Sequence, residues 1–190
     1  TNGQLVHLTG KLATPDILSD EMFYISANAV KMARVVEMYQ WSEDKTLLES
    51  AEADKKSAYG KGWSQKAIDS GKFRHQQGHL NPPMEFSSAD YFATNVTVGS
   101  FTLAPDFVLA MHEYVPFPMT AETYAQINPE MAAFMLHNGM FYKGANPDAP
   151  EVGDVRVSYR IVPAGGEVSV IGQQNMDKIQ TYQTDYSSIK

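Results

Sequence analysis

Two histidines lie four residues apart in this chain, at His75 and His79. That spacing can place two imidazoles on one helix face, where they bind a metal ion together. Here Gly78 separates them, the breaker run Asn81-Pro82-Pro83 follows, and no glutamate occupies the catalytic position of an HExxH motif. The sequence therefore predicts a loop with two solvated or hydrogen-bonding histidines, and a loop-borne metal pair is the alternative. We predict no metal site.

Other reactive groups fit ordinary structural roles. The sequence contains no GxSxG motif and no cysteine, which excludes thiolate metal sites, disulfides and cysteine nucleophiles. The glycine pairs at 60–62 and 165–166 match neither a phosphate loop nor a dinucleotide fingerprint. Asp148, Glu151 and Asp154 could perform acid–base chemistry, but their proline-rich segment is typical of solvated turn acids. We predict no catalytic residue, no cofactor and no enzymatic activity.

Aromatic residues offer a second kind of chemistry, a surface for carbohydrate or peptide. The candidates are Tyr39, Trp41, Trp63, Phe141 and Tyr142. In a mainly β domain such side chains more often pack in the core or across strands. The exposure of Trp41 and Trp63 discriminates between these readings. Buried tryptophans indicate core, whereas a solvent-facing pair near His79 favours ligand binding.

Composition narrows the class of protein. The chain has 190 residues, of which 43% are hydrophobic, and a formal net charge of −7. Its longest basic run is Lys55-Lys56, so we predict no nucleic-acid partner, because phosphate backbones require clustered cations. The best apolar stretch, 101–111, is shorter than the about 20 residues that cross a bilayer. Because the chain begins at Thr1 without a methionine, we expect an excised piece whose membrane segments lie outside it.

The stretch from Glu21 to Lys56 supports two interpretations. Its many Ala, Met, Glu, Lys and Leu residues favour one long helix. Against that, the apolar residues of 29–43 recur with period 2, and the Val35-Val36 pair and the Tyr39-to-Trp41 triplet suit a half-buried strand. Periodicity alone does not decide between them. We predict a strand over 29–43, a polar connection over 44–56 with one helical turn, and a partner strand over 57–68.

The remaining elements alternate between short strands and loops. Predicted strands, loops and helices are as follows: a strand at 4–12, a turn at 14–20, a loop at 69–88, strands at 91–98 and 100–104, a short helix at 106–113, an extended segment at 115–120 and a mostly helical segment at 121–136. Asn138-Gly139 predicts a hairpin with a type I′ turn. Gly165-Gly166 predicts a second hairpin that joins 155–161 to 168–170. The fold class is α+β, a mainly antiparallel sheet with hairpins and a few short helices, in one domain over 1–190.

A set of short motifs runs along nearly the whole chain: VHL (6–8), IS (25–26), AVK (29–31), Arg34, VEMYQW (36–41), Tyr59, Trp63, IDS (68–70), Phe73, GH (78–79), NP (81–82), Gly99 with FTL (101–103), NP (146–147), PEVGDVRVSY (150–159), Val168, VIG (170–172) and Gln174. In this order the motifs resemble the LUMA family of multi-pass membrane proteins. VEMYQW and PEVGDVRVSY together are the specific part. The motif residues to which no role is assigned are Arg34, Glu37, Tyr39, Gln40, Trp41, Asn81, Pro82, Gly153, Asp154 and Arg156.

The resemblance implies the large extracytoplasmic domain of such a protein, without its membrane helices. That domain faces the periplasm in a bacterium, or the lumen of the endoplasmic reticulum and nuclear envelope in a eukaryote. The implied function is a non-enzymatic scaffold for protein interaction or membrane organisation, through other membrane proteins or self-association. Emerin and lamins are implied as partners only for a eukaryotic member. The alternative is an extracytoplasmic ligand-binding or hydrolytic domain that acts on envelope components through the His79 loop.

Overall fold

Strands dominate this protein and its helices are short. The structure, a computed structural model, describes residues 2–50 and 55–182. The strands are β1 Leu5–Ala13, β2 Leu18–Asp20, β3 Ile25–Ala27, β4 Ala29–Glu43, β5 Tyr59–Ser64, β6 Ala89–Phe92, β7 Thr97–Val98, β8 Phe101–Leu103, β9 Val115–Pro116, β10 Met135–His137, β11 Met140–Lys143, β12 Val155–Pro163, β13 Glu167–Asn175 and β14 Lys178–Gln180. The α-helices are α1 Lys45–Glu49, α2 Pro105–Ala110 and α3 Ala121–Ala125. Single 3₁₀ turns cover Lys55–Ala58, Ser70–Lys72 and Pro129–Met131. None of the helices in the described residues is long and apolar enough to cross a membrane.

The chain divides into two compact units. The barrel unit comprises the described residues of 1–33, 90–116 and 160–190, and the motif unit comprises those of 34–89 and 117–159. The mixture of antiparallel sheets and short helices agrees with the α+β class. The expectation of one extracytoplasmic domain over 1–190 stays a prediction.

The barrel unit contains a closed barrel in the order β1-β13-β14-β8-β7. β1 and β13 pair antiparallel from Leu5 opposite Gln173 to Lys11 opposite Glu167, whereas β14 runs parallel to β8. The short pair β2 and β3 forms a separate two-stranded sheet. Closure matters physically because it leaves no unpaired strand edge within the barrel.

The motif unit is built on a sheet in which the order is β10-β11-β12-β4-β5. Strand β4 confirms the period-2 interpretation of 29–43. Val36, Met38 and Gln40 are at most 2% exposed, while the residues between them are half-buried. Helix propensity in this stretch is overridden because an alternating pattern buries one complete face only as a strand. Its partner β5 lies within the predicted 57–68, and α1 supplies the expected helical turn.

The hairpin predicted at Gly165-Gly166 is wrong. β12 and β13, which flank this turn, belong to different sheets, and β13 pairs with β1 instead. The turn itself is bonded to β1, since Gly165 N donates to Leu12 O at 2.6 Å and Leu12 N donates to Gly166 O at 2.8 Å. Alternation identified both strands correctly, but it carries no information about which strand each one pairs with.

The mostly helical prediction for 121–136 is wrong in extent. α3 ends at Ala125, a 3₁₀ turn follows at Pro129–Met131, and β10 begins at Met135. Pro129 disfavours the helical conformation in the residue before it, so the helix cannot continue through this point. Residues 135–137 join the predicted Asn138-Gly139 hairpin, which is confirmed with positive φ of 48° and 73° at its two turn residues.

Other boundaries differ by a few residues. The turn predicted at 14–20 includes the short strand β2, and the loop predicted at 69–88 includes the 3₁₀ turn at Ser70–Lys72. The helix predicted at 106–113 is α2, which begins at Pro105 as the preference of proline for the first helical turn indicates, and ends three residues early at Ala110. Part of the connection predicted over 44–56 lies outside the described residues.

Candidate functional site

The motif residues all lie in the motif unit, where they connect β4 to the segments around Asn81 and Asp154. Asn81 shows how this works. Its Oδ1 accepts from Trp41 N at 2.7 Å, and its Nδ2 donates to Trp41 O at 3.0 Å and to Ile68 O at 3.2 Å. One side-chain amide thus bonds both backbone groups of Trp41, as a neighbouring strand would. Asn81 therefore braces β4 at the point where Trp41 begins to face outward.

The side chain of Gln40, which is 1% exposed, also hydrogen-bonds the backbone of another segment. Its Nε2 donates to Lys66 O at 3.1 Å and contacts Ser64 O at 3.4 Å, while its Oε1 accepts from Ile68 N at 2.8 Å. The buried amide is satisfied on both ends, as such groups must be. It fixes the course of the chain after β5.

The segment that contains Gly153 and Asp154 is bonded to Tyr39. Gly153 N donates to Tyr39 O, and Tyr39 N donates to Asp154 O, both at 2.8 Å. The Asp154 carboxylate accepts from the hydroxyl of Tyr142 at 2.5 Å and from Glu151 N at 3.0 Å. Burial, followed by the hydrogen bond to Asp154, raises the pKa of Tyr142 far above its ordinary value. Asp154 thus acts as an acceptor that ties three parts of the chain together.

Gly153 and Gly144 are needed by this arrangement. Gly153 has a φ of +101°, and a Cβ there would lie 3.1 Å from Cγ of Pro82. A Cβ at Gly144 would overlap the carboxylate of Asp154. Pro82 and Gly153 also line a cleft of about 320 Å³ together with Met38, Phe86 and other residues. The motif residues therefore shape one wall of a concave surface.

Arg156 forms the fourth brace. Its Nε donates to Glu37 Oε2 at 2.7 Å, in an ion pair whose side chains are 30% and 21% exposed. Its guanidinium lies 4.4 Å from the ring centroid of Trp63, and the rings of Tyr39 and Tyr142 meet Trp63 edge-on at 5.3 and 5.9 Å. Cation and ring edges together fix the indole. Another motif residue of this unit, Arg34, donates from Nε to Ser87 O at 3.0 Å.

An aromatic–histidine pocket of about 410 Å³ is lined by Lys56, Tyr59, His75 and His79. The histidines lie in a loop, as predicted. The ring of His79 stacks on Tyr59 at 4.0 Å, and Trp41 meets it edge-on at 4.8 Å. Nδ1 of His79 lies 3.0 Å from the carbonyl oxygen of His75. Because a carbonyl only accepts, this contact requires a proton on Nδ1.

Glu43 organises this pocket from β4. Its Oε2 accepts from the hydroxyl of Tyr59 at 2.8 Å and from Arg74 N at 2.6 Å. Burial alone would raise the pKa of Glu43, but these two hydrogen bonds and the positive charges of Lys45 and Arg74 together outweigh it and hold the pKa below its ordinary value. The pKa of Tyr59 is raised by burial and by the same carboxylate. The hydroxyl of Tyr59 also accepts from His75 N at 3.1 Å.

The exposure of Trp41 and Trp63, which was to distinguish core packing from ligand binding, is intermediate. Both are half-buried, so neither belongs wholly to the core. Trp41 contacts His79 and carries Lys61 over its ring at 4.7 Å, whereas Trp63 is covered by Arg156. Within residues 2–50 and 55–182, no group of three or more acidic or histidine side chains could hold a metal ion.

Sequence analysis did not single out Glu43, Tyr59 or Lys61 as members of a site. Glu43 and Tyr59 are directly opposite each other in the β4–β5 register, as are Trp41 and Lys61. The pairing of these two strands was predicted, so the missing information was the register. A register follows from turn geometry when the connection is tight, and the connection here spans the 15 residues 44–58.

Comparison with known proteins gives the family. The family model for Transmembrane protein 43 matches residues 38–190. Transmembrane protein 43 of Rattus norvegicus is 31% identical over 96% of this chain and 48% of the relative. The Drosophila melanogaster homolog is 31% identical over 96% of this chain and 49% of the relative, and the Homo sapiens protein is 29% identical over 96% and 48%. No solved structure matches.

The chain spans about half the length of the curated relatives it matches. The relatives carry the name of a membrane protein, and their names state no enzymatic activity. The resemblance drawn from VEMYQW and PEVGDVRVSY is confirmed, because the matches extend over most of the chain. This chain belongs to the Transmembrane protein 43 family.

Proposed function

We propose that this chain is a non-enzymatic, extracytoplasmic scaffold domain of a multi-pass membrane protein, attached to the membrane through helices outside the chain. Its partners are other membrane proteins or a second copy, with emerin and lamins reserved for a eukaryotic member. One observation carries the proposal. The polar motif side chains of Gln40, Asn81, Asp154 and Arg156 all bond to other parts of the motif unit. Such residues support a surface of fixed shape, which is what binding a partner protein requires.

The contact surface that this proposal favours is the cleft beside Pro82 and Gly153. Glu85 stands at this cleft with a side chain 66% exposed, and Lys143 lies 3.5 Å from it. A photo-crosslinking amino acid at Glu85 in the membrane-embedded protein should therefore capture a second copy or another membrane protein. The matched control is the same amino acid at Glu122, which is exposed on α3 and lies outside the cleft. If neither position captures self or partner in native membranes, the scaffold function is wrong.

The side of the membrane is tested independently. The sequence has no cysteine, so one introduced at Lys72, whose side chain is 83% exposed, gives this domain a single thiol. We expect a membrane-impermeant maleimide applied to intact cells, or to sealed vesicles of known orientation, to label it from the extracytoplasmic side. The protein without the substitution reports any thiol elsewhere. Labelling only from the cytoplasmic side would contradict the proposed localisation.

The second candidate function is ligand binding in the aromatic–histidine pocket. The half-exposed Trp41 against His79, and the stacking of His79 on Tyr59, favour it. Thermal-shift measurements with Zn²⁺, soluble glycans and lipid head groups test this candidate. His79→Phe is the matched variant, because it keeps a stacking ring and removes both ring nitrogens. A stabilisation that this variant abolishes supports the candidate, and a flat response to every probe rejects it.

A further inference from the structure

We propose that the barrel unit binds a monomeric single-chain amphiphile with a cationic head group, in an apolar groove beside α2. The groove has a volume of about 410 Å³, which falls within the range of small-molecule sites. Its apolar wall is formed by Leu12, Phe107, Met111, Val162, Val168 and Val170. This inference goes beyond the scaffold function, since it concerns a different unit and a small ligand.

The groove is a built feature of the fold. Leu12 and Val162 are buried at its base, whereas Phe107, Val168 and Val170 are only half-buried. A Cβ at Gly172 would lie 2.9 Å from Cζ of Phe107 and 2.6 Å from Cγ2 of Ile179. The glycine therefore lets Phe107 approach the backbone of β13 closely. Apolar side chains that stay accessible in a concave surface gain free energy when an alkyl chain removes them from water.

A buried cation fixes the other wall. Lys31 is 6% exposed, and its Nζ donates to Leu109 O at 3.0 Å and to Met111 O at 2.6 Å. The rings of Phe92 and Tyr114 lie 5.3 and 5.4 Å from the ammonium. A cation at the carbonyl end of a helix is favourable, but burying an ammonium is costly unless hydrogen bonds replace those it made to water. Here it fixes the end of α2, which carries Met111 into the groove.

The charges at the groove entrance select the head group. Glu113 and Glu167 are exposed residues that line the groove, and neither forms an ion pair with any residue that the structure describes. Lys11 lies opposite Glu167 in the β1–β13 ladder but forms no ion pair with it. His112 also lines the groove, with Nδ1 3.0 Å from Ala110 O. Two unpaired carboxylates favour a cationic head group over an anionic one.

The shape of the groove argues for a free alkyl chain over a protein segment or a membrane surface. A partner helix needs anchor positions spread over several turns, whereas α2, which forms one wall, is a single short helix. A bilayer surface cannot enter a concavity. The exposed side chains of Leu109 and Ile171, at 55% and 64%, would be available to such a surface, so lipid vesicles form one arm of the test.

The test is isothermal titration of the 190-residue chain with decyltrimethylammonium below its micellar concentration. Decyl sulfate reports the head-group charge, tetramethylammonium reports the head group alone, and octyltrimethylammonium reports chain length. We expect the cationic decyl compound to bind about tenfold more tightly than the octyl compound, because two buried methylenes contribute this much. Tetramethylammonium should give no heat, and the preference over decyl sulfate should shrink in Glu113→Gln/Glu167→Gln. Glu151→Gln in the motif unit is the matched control, and it should leave the preference unchanged.

Ala110→Phe fills the groove from an exposed position, so the variant keeps the buried core intact. We expect it to abolish binding while its thermal unfolding stays unchanged. The proposal is overturned if Ala110→Phe binds as the parent chain does, if decyl sulfate binds as tightly as the cation, or if neutral vesicles bind while monomeric amphiphile does not. No binding of any alkyl compound also overturns it and leaves the scaffold function untouched.

Discussion

The two units use their polar side chains in different ways. In the motif unit, the buried Gln40 and the half-buried Asn81 and Asp154 each hydrogen-bond a segment beside β4. In the barrel unit, one buried cation, Lys31, holds the end of a short helix beside an apolar groove. The motif unit thus has a surface held by side-chain hydrogen bonds, which we call the braced surface, whereas the barrel unit has an apolar groove. The family motif residues of unassigned role all fall in the motif unit.

The largest effect that distinguishes the two units should come from Gln40→Leu. This change removes the acceptor of Ile68 N and the donor to Lys66 O while it keeps most of the side-chain volume. Leaving buried backbone groups unpaired costs about 3 kcal/mol of the free energy of unfolding. Urea unfolding measures it. A loss below about 1 kcal/mol, typical of a surface change, would mean that Gln40 does not brace the motif unit.

The corresponding test in the barrel unit is Gly172→Ala. The new methyl group would lie 2.6 Å from Ile179 and 2.8 Å from Gln180 O, so overpacking should cost about 2 kcal/mol. Gly62→Ala is the matched control, because no atom lies within 4 Å of a Cβ at that position. The same urea titrations compare them. Equal free energies of unfolding for Gly172→Ala and Gly62→Ala would contradict the close packing of Ile179, Gln180 and Phe107 against Gly172.

A smaller effect is expected at Arg156. Arg156→Met leaves the half-buried Glu37 without its cation, and we expect a loss of about 1–2 kcal/mol, less than for a fully buried pair. Arg156→Lys keeps the charge but loses the planar contact with Trp63. Its free energy of unfolding should therefore lie between those of the parent chain and Arg156→Met. Trp63 fluorescence should shift in both variants. If Lys and Met are equally destabilising, the charge of Arg156 is unimportant and only its planar stacking matters.

The smallest effect concerns Glu43. Its pKa is lowered in the folded protein, so the stability it contributes is present above the pKa of an unfolded glutamate. That stability is lost as pH falls through the lower folded value. Tyr59→Phe removes one of the two hydrogen bonds that lower this pKa. The stability of the variant should therefore fall less steeply with acidification than that of the parent chain. Parallel acid profiles would show that the bond to Tyr59 does not perturb Glu43.

Much of the local structure was predictable from patterns that act over a few residues. The strand over 29–43 follows from alternation, the 138–139 turn from Asn-Gly, and the start of α2 from Pro105. Partner choice was not predictable in the same way. Val168 and Val170 alternate as a strand should, but their pairing with β1 depends on residues about 160 positions away. Nothing in a local pattern encodes that distance.

In the candidate sites, too, the features that depend on local sequence were predictable and those that depend on distant residues were not. The motif residues were identified from family resemblance, while their role as braces depends on side-chain hydrogen bonds such as Asn81 to Trp41, 40 residues apart. The aromatic–histidine pocket was half-recognised, through His75 and His79, and lacked Glu43 and Tyr59 because the strand register was unknown. The groove of the barrel unit was not predicted, since no motif marks the apolar residues that form its walls.

The most direct test of the braced-surface account is Asn81→Ala, with stability and photo-crosslinking from Glu85 measured on the same variant. Asn81 bonds the backbone of Trp41 and Ile68 through its side chain. We predict a loss of about 2 kcal/mol in the free energy of unfolding, with partner capture reduced because the supported surface loosens. Unchanged stability together with lost capture would contradict the account, because Asn81 would then be a contact residue and not a brace.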